Sequence, residues 1–163
     1  MLASKIQRGV TLVELVITIV IISIALVASI ASFSVITGRS ANAMVQSRAL
    51  ELGQLYLDEI LARRFDEGSD PTGIPPYTGA CRITDDGESR GQFDDVDDFH
   101  NLNDDPPALI DLPADTDYNG YVVDVRVSCD SGVGSNGDAK LITVTVTAPN
   151  GSQSRFSVYR GNF

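Results

Sequence analysis

The chain has 163 residues, two cysteines and a formal net charge of −10. Asp85 to Asp117 holds twelve acids and only Arg90 as a base, whereas counterion-release binding needs clustered Lys and Arg, so no nucleic-acid partner is expected. An N-terminal apolar stretch ending near Gly38 leaves about 125 residues, enough for one modest domain.

Residues 1–9 carry Lys5 and Arg8 and no acid. They lead into "RGVTLVELVITIVIISIAL", where Glu14 is the only charge between Arg8 and Arg39. Residues 15–38 are 24 uncharged positions dominated by Leu, Val, Ile and Ala. About 20 such residues cross a bilayer's hydrocarbon core, and a segment in lipid must satisfy its own backbone, which predicts a spanning helix. The positive-inside rule puts the N-terminus in the cytoplasm and everything after Arg39 across the membrane. The run exceeds the apolar core of about 7 to 15 residues found in a secretory signal peptide, although "ASIAS" at 28–32 imitates a small-residue cleavage site. Thr11 and Glu14 also fit a capping box at a helix start. A carboxylate in hydrocarbon costs roughly 2.5 kcal/mol or more, so Glu14 is expected to have a partner.

"GVTLVEL" resembles the processing and assembly motif of type IV pilins and type II secretion pseudopilins. The resemblance implies that residues 1–9 are a leader and that a membrane aspartyl peptidase, the prepilin peptidase, cuts between Gly9 and Val10 and methylates the new amine. Glu14, with Thr11 in the same motif, would dock on the free amine of a neighbouring subunit's Val10. The implied partners are the prepilin peptidase, other pilin subunits, an inner-membrane assembly platform and membrane lipid. Val10 stands where the family usually has an aromatic residue or Met, and the span lacks the proline common in major pilins.

Residues 10–38 thus read as the transmembrane and assembly helix, and 39–65 as its amphipathic continuation. Val45, Ala49, Leu52, Tyr56 and Ile60 recur at helical spacing with no proline between Arg39 and Arg64. Gly53 interrupts this stripe and marks a close packing point; a break at Thr37 and Gly38 into two helices is the alternative. "ELGQLYLDEILARRFDE" (51–67) and "GESRGQFDDVDDFHN" (87–101) are similar to MshD-like minor pilins of the mannose-sensitive haemagglutinin (MSHA) pilus.

Residues 66–163 form the predicted head. "DEGSDPTGIPPYTG" ends the helix and opens a long connection. In "YVVDVRVSC", Tyr121, Val123, Val125, Val127 and Cys129 alternate with more polar positions, the pattern of a half-buried strand. "KLITVTVTA" repeats it with Ile142, Val144, Val146 and Ala148 inward; "PNGS" turns, and "RFSVYR" returns with Phe156 and Val158 on one face. Three antiparallel strands packed on the helix make a two-layer α+β head, the architecture that the pilin resemblance also implies. Cys81 and Cys129, exported to an oxidising compartment, have one intramolecular pairing available, and closing that loop would contribute roughly 4 kcal/mol.

"DTDYNG" from Asp115 matches the first half of a calcium loop, with Asp115, Asp117 and Asn119 as ligands and Gly120 at the turn, but its twelfth position is Arg126 instead of Glu. An Asx-rich turn explains the same residues. The run "DDVDDFHNLNDD" reads as a solvated acidic surface, and lone His100 cannot build a zinc site beside paired cysteines. No phosphate loop or nucleophile elbow is present, and no enzyme is expected. These readings converge on a minor pilin that is held in the inner membrane with its head in the periplasm, then assembled into a surface fibre for pilus assembly or adhesion. A type II secretion pseudopilin and a calcium-dependent adhesive head on a fibre are the alternatives.

Overall fold

The structure, a computed structural model, describes residues 11–84, 86–109, 118–130, 132–133 and 139–162. Helix α1 runs Leu12–Leu61. A short 3-10 turn, Asp97–Phe99, precedes strands β1 (Asn103–Asp104), β2 (Val122–Asp130), β3 (Ala139–Thr147) and β4 (Gln153–Gly161). The chain divides into two compact units, Met1–Ala43 and Met44–Phe163.

The second unit is an α+β head. Its antiparallel sheet has the order β1-β2-β3-β4, with Val125 opposite Val144 and Val144 opposite Phe156. Alternation sends Val123, Val125 and Val127 of β2 and Ile142, Val144 and Val146 of β3 to one face, all at most 1% exposed. Against it lies the stripe of α1: Leu52, Tyr56 and Ile60 are fully buried and Ala49 nearly so. Tyr121, at the start of β2, donates its hydroxyl hydrogen bond to the Val45 carbonyl at 3.2 Å.

The sheet gains a fourth strand that the sequence pattern did not announce. β1 is two residues long and pairs with β2 through Asn103 opposite Asp124 and Asp104 opposite Val123. The acidic run also departs from expectation: Val96 and Phe99 are fully buried in the core and Asp95 and Asp97 are 3% exposed, so this segment is partly interior. Two local ties draw it in. Arg64, just past α1, donates its amide to the Asp94 carbonyl and accepts from the Val96 amide, both at 3.1 Å. Tyr56 donates its hydroxyl to Asp104 Oδ2 at 2.5 Å and accepts from the Ala108 amide at 3.0 Å. Arg90 caps the same region, its guanidinium 4.9 Å from the Phe99 ring and 2.9 Å from Glu59.

Cys81 and Cys129 form a disulfide that joins the long connection to β2. Cys129 lies in the last turn of the alternation, where β2 runs past the core, and it is exposed instead of inward. Gly53 is buried against β4, and a Cβ placed there would overlap the Phe156 ring. Alanine at this position gains about 1 kcal/mol of helix propensity, while overpacking costs about 1–3 kcal/mol. Gly53→Ala should therefore lower stability by about 1 kcal/mol in the native background and raise it once Phe156→Ala has opened the space. Urea unfolding of the full chain in detergent micelles reads both; equal effects in the two backgrounds would show that the ring does not set the requirement for glycine.

Candidate functional site

At the N-terminal end of α1, Thr11 Oγ1 accepts the Glu14 amide at 3.2 Å and the Thr11 carbonyl accepts the Leu15 amide at 3.1 Å. Thr11 is thus the N-cap that the capping-box reading assigns to it, satisfying one of the orphan donors of the first turn. Glu14 sits in that first turn, where the helix dipole favours an acid. Among the described residues its carboxylate has no hydrogen bond or ion pair, and the residue is exposed. Gly9 and Val10, expected to flank the processing site, lie outside the described residues.

From Leu12 to Ser34, 23 residues with a mean hydropathy of 2.8 form a helix long and apolar enough to cross a membrane. Among the described residues none of its most apolar window is buried, and Leu12, Val16, Ile19, Ile24 and Phe33 are each at least half exposed. Its hydroxyls are already satisfied: Ser23, Ser29 and Ser32 donate to the carbonyls of Ile19, Ala25 and Ala28 at 2.7, 2.8 and 3.0 Å, and Thr18 donates to Glu14. Such back-bonding removes the need for water, as a hydrocarbon medium demands. Glu14 is the one charge in the segment.

Residues 4–30 match the prokaryotic N-terminal methylation motif. No curated protein and no solved structure matches the chain. The match supports a type IV pilin-like protein or pseudopilin, a substrate of prepilin peptidase that assembles with other pilins, and the α+β architecture fits it. The motif takes in Thr11, Glu14 and the apolar helix as far as Ile30. Pilins of this kind are structural proteins.

In the head, Asp115 and Asp117 of the half-calcium motif lie outside the described residues, and Asn119 is exposed in the turn before β2, with Gly120 at φ +80°. A different set of carboxylates converges: ligand-capable oxygens of Asp86, Glu88 and Asp98 lie within 4.8 Å of one another. Desolvation and mutual repulsion push Glu88 up, and desolvation does the same for Asp98. His100, the lone histidine, accepts the Val127 amide on its Nδ1 at 3.2 Å.

The most consequential residue that the sequence reading passed over is Lys140. It shares the inward parity of Ile142, Val144 and Val146, and that parity was the available signal. Its side chain is fully buried, with Nζ 2.7 Å from Asp97 Oδ1 and 3.5 Å from Asp66 Oδ2; it donates to the Phe65 carbonyl at 2.6 Å and lies 4.6 Å from the Phe65 ring centre. Beside it, Asp95 Oδ1 accepts the Asp97 amide at 2.6 Å. Burial, with the Asp97 and Asp98 carboxylates adding to it, pushes Asp95 up to about 7, and burial also holds Asp97 above the usual carboxylate range despite Lys140.

An acid whose pKa is higher in the folded than in the unfolded chain takes up a proton on folding, so its contribution is complete below the unfolded value, about 3.9, and is lost as pH rises through the folded one. Asp95→Asn, permanently neutral, should gain stability relative to the native chain as pH rises from about 4 to about 7, by about 3 kcal/mol. Thermal unfolding followed by circular dichroism across that range measures the difference; a constant difference would show that Asp95 does not titrate in this window.

Proposed function

We propose that this chain is a minor pilin of an MSHA-type pilus. Residues 1–9 act as the leader, prepilin peptidase cuts between Gly9 and Val10 and methylates the amine, and residues 10–38 hold the subunit in the inner membrane. The N-terminus is cytoplasmic and the head, residues 66–163, periplasmic, until an assembly platform draws the subunit into a fibre at the cell surface for assembly or adhesion. Residues 39–65, helical as far as Leu61, link the two, and the chain's role is structural, not enzymatic.

The observation that carries this reading is a lone carboxylate, Glu14, that falls within the methylation motif and sits in the first turn of an exposed 23-residue apolar span. A methylated Val10 amine on a neighbouring subunit supplies the missing positive charge. Docking then lets α1 exchange lipid contacts for close helix packing. The motifs at 51–67 and 87–101 favour the pilus over a secretion pseudopilus.

Mass spectrometry of the mature chain should find methylated Val10 as its first residue. Glu14→Val should insert and be cleaved as the native chain is, yet enter fibres at least about tenfold less well, the factor expected for losing an interaction worth roughly 1.4 kcal/mol or more. Quantifying the chain in sheared fibres reads this, and undiminished incorporation would remove the docking role. Recovery of the native chain in a secretion pseudopilus instead of sheared pili would select the alternative.

A further inference from the structure

The two edges of the sheet are finished differently. Outside β2, β1 pairs with Val123 and Asp124, and the cover continues beyond it. The Asn101 amide donates to the Val125 carbonyl at 3.1 Å, the Val125 amide to the Leu102 carbonyl at 2.9 Å and the Val127 amide to His100 Nδ1 at 3.2 Å. Outside β4, among the described residues, no backbone group from Gln153 to Tyr159 has a partner beyond the ladder with β3. The hairpin decides which groups are left over. The Ala148 amide donates to the Ser152 carbonyl at 2.9 Å, and hydrogen-bonded pairs recur at every second residue of an antiparallel ladder. Ser154, Phe156 and Val158 therefore bond to β3, whereas Gln153, Arg155, Ser157 and Tyr159 aim their N–H and C=O groups away from the sheet.

The core also stops short at this edge. Ile142, Val144 and Val146 of β3 are fully buried, but Phe156 and Val158 beside them on β4 are only partly so. Gly53 of α1 lies against Phe156, and one turn to either side of it Leu57 is half-buried and Leu50 is 50% exposed. A strand laid along β4 would bond through the free groups and cover this apolar margin with every second side chain, the way an extended segment augments a sheet edge. Its remaining side chains would stand on the solvent face beside Arg155, which is exposed and has no ion pair among the described residues. From Lys140 to Phe163 the chain holds three bases and no acid, although its net charge is −10. Acids elsewhere on the surface are screened beyond about 8 Å at physiological salt, so the local cation sets the preference.

We propose that β4 takes up an extended segment of another protein in which apolar and acidic residues alternate, the apolar ones toward α1 and the acidic ones beside Arg155. The contact lies wholly in the head and does not rest on the helix-assembly reading.

The test is amide hydrogen exchange, read by nitrogen-15 NMR of the full chain in detergent micelles, with two end-blocked peptides of seven residues: one alternates glutamate and valine, the other lysine and valine. Saturable protection of the Arg155, Ser157 and Tyr159 amides by the glutamate peptide, without protection there by the lysine peptide, supports the site. Arg155→Glu should weaken the glutamate peptide roughly tenfold and let the lysine peptide protect the same amides, since an attractive cross-strand pair becomes a repulsive one. Ser157→Pro deletes a free N–H without removing a bond to β3 and should abolish the protection. Arg155→Glu changes only an exposed side chain and keeps the test decisive where Ser157→Pro fails to fold. No saturable protection at these amides, equal protection by both peptides, or an unchanged dissociation constant in natively folded Arg155→Glu would overturn the proposal. Protection that grows with the concentration of the chain alone would overturn it too, by giving the edge to a second copy.

Discussion

A charge removed from water must find a counter-charge or be neutralised by gaining or losing a proton, and this chain meets that constraint in two ways. Lys140, fully buried in β3, finds Asp97, Asp66 and the Phe65 carbonyl within its own fold. The three partners come from the segment after α1 and from the acidic run, so one ammonium fastens both to the sheet. Removing one member of such a set leaves the others buried and uncompensated, which costs more than the set contributes when whole. Glu14 stands in the opposite condition. It occupies an uncovered apolar helix, and the chain provides Thr11 for its amide but, among the described residues, no partner for its carboxylate.

The internal cluster explains how the described parts of an acidic, proline-rich stretch of the head are held in place with little regular structure. Among the described residues between α1 and β2, the hydrophobic ones buried in the interior are Phe65, Val96, Phe99 and Tyr121, a small apolar share for the segment's length. Ion pairs, the disulfide and tyrosine hydrogen bonds supply the rest. Tyr56 reaches from the helix to Asp104 and Ala108, Arg90 spans Glu59 and the Ala108 carbonyl, and Cys81 is tied to β2. Each of these fastens a loop to a rigid element, the arrangement that holds irregular backbone in place when hydrophobic burial alone is insufficient.

Periodicity made the regular parts legible. The helical stripe from Ala49 to Ile60 and the alternation in β2 as far as Val127 and in β3 place the same residues inside that the structure buries, because a period of 3.6 or 2 fixes a side chain's face whatever lies opposite; Val45 at the start of the stripe is half-buried and Cys129 near the end of β2 is exposed. Gly53 was legible as a close approach, and Phe156 supplies the neighbour. The acidic run was misread for a physical reason. Its charges suggest solvation, yet burial follows from what they pair with, and Lys140 is some 40 residues further along the chain. β1 escaped notice because two residues carry no period. Within the candidate site, Thr11 and Glu14 could be read from spacing alone, whereas the cluster at Lys140 joins the segment just past α1, the acidic run and β3, which no local pattern brings together.

The two solutions to charge burial bear on what a subunit of this kind can do by itself. In the head, the buried ammonium of Lys140 finds its counter-ions within the same chain. The apolar segment is complete only in a medium that tolerates its surface, and lipid does so at the standing cost of Glu14. On the proposed reading, the neighbour's Val10 amine removes that cost at the step where helix packing replaces lipid. The favourable change is thereby concentrated in assembly instead of folding, because uniform apolar contact would serve almost equally well in the bilayer and in the fibre. A single carboxylate in the first turn then supplies what the remaining apolar residues cannot, a reason for one register between neighbouring helices over the many that apolar packing alone would permit.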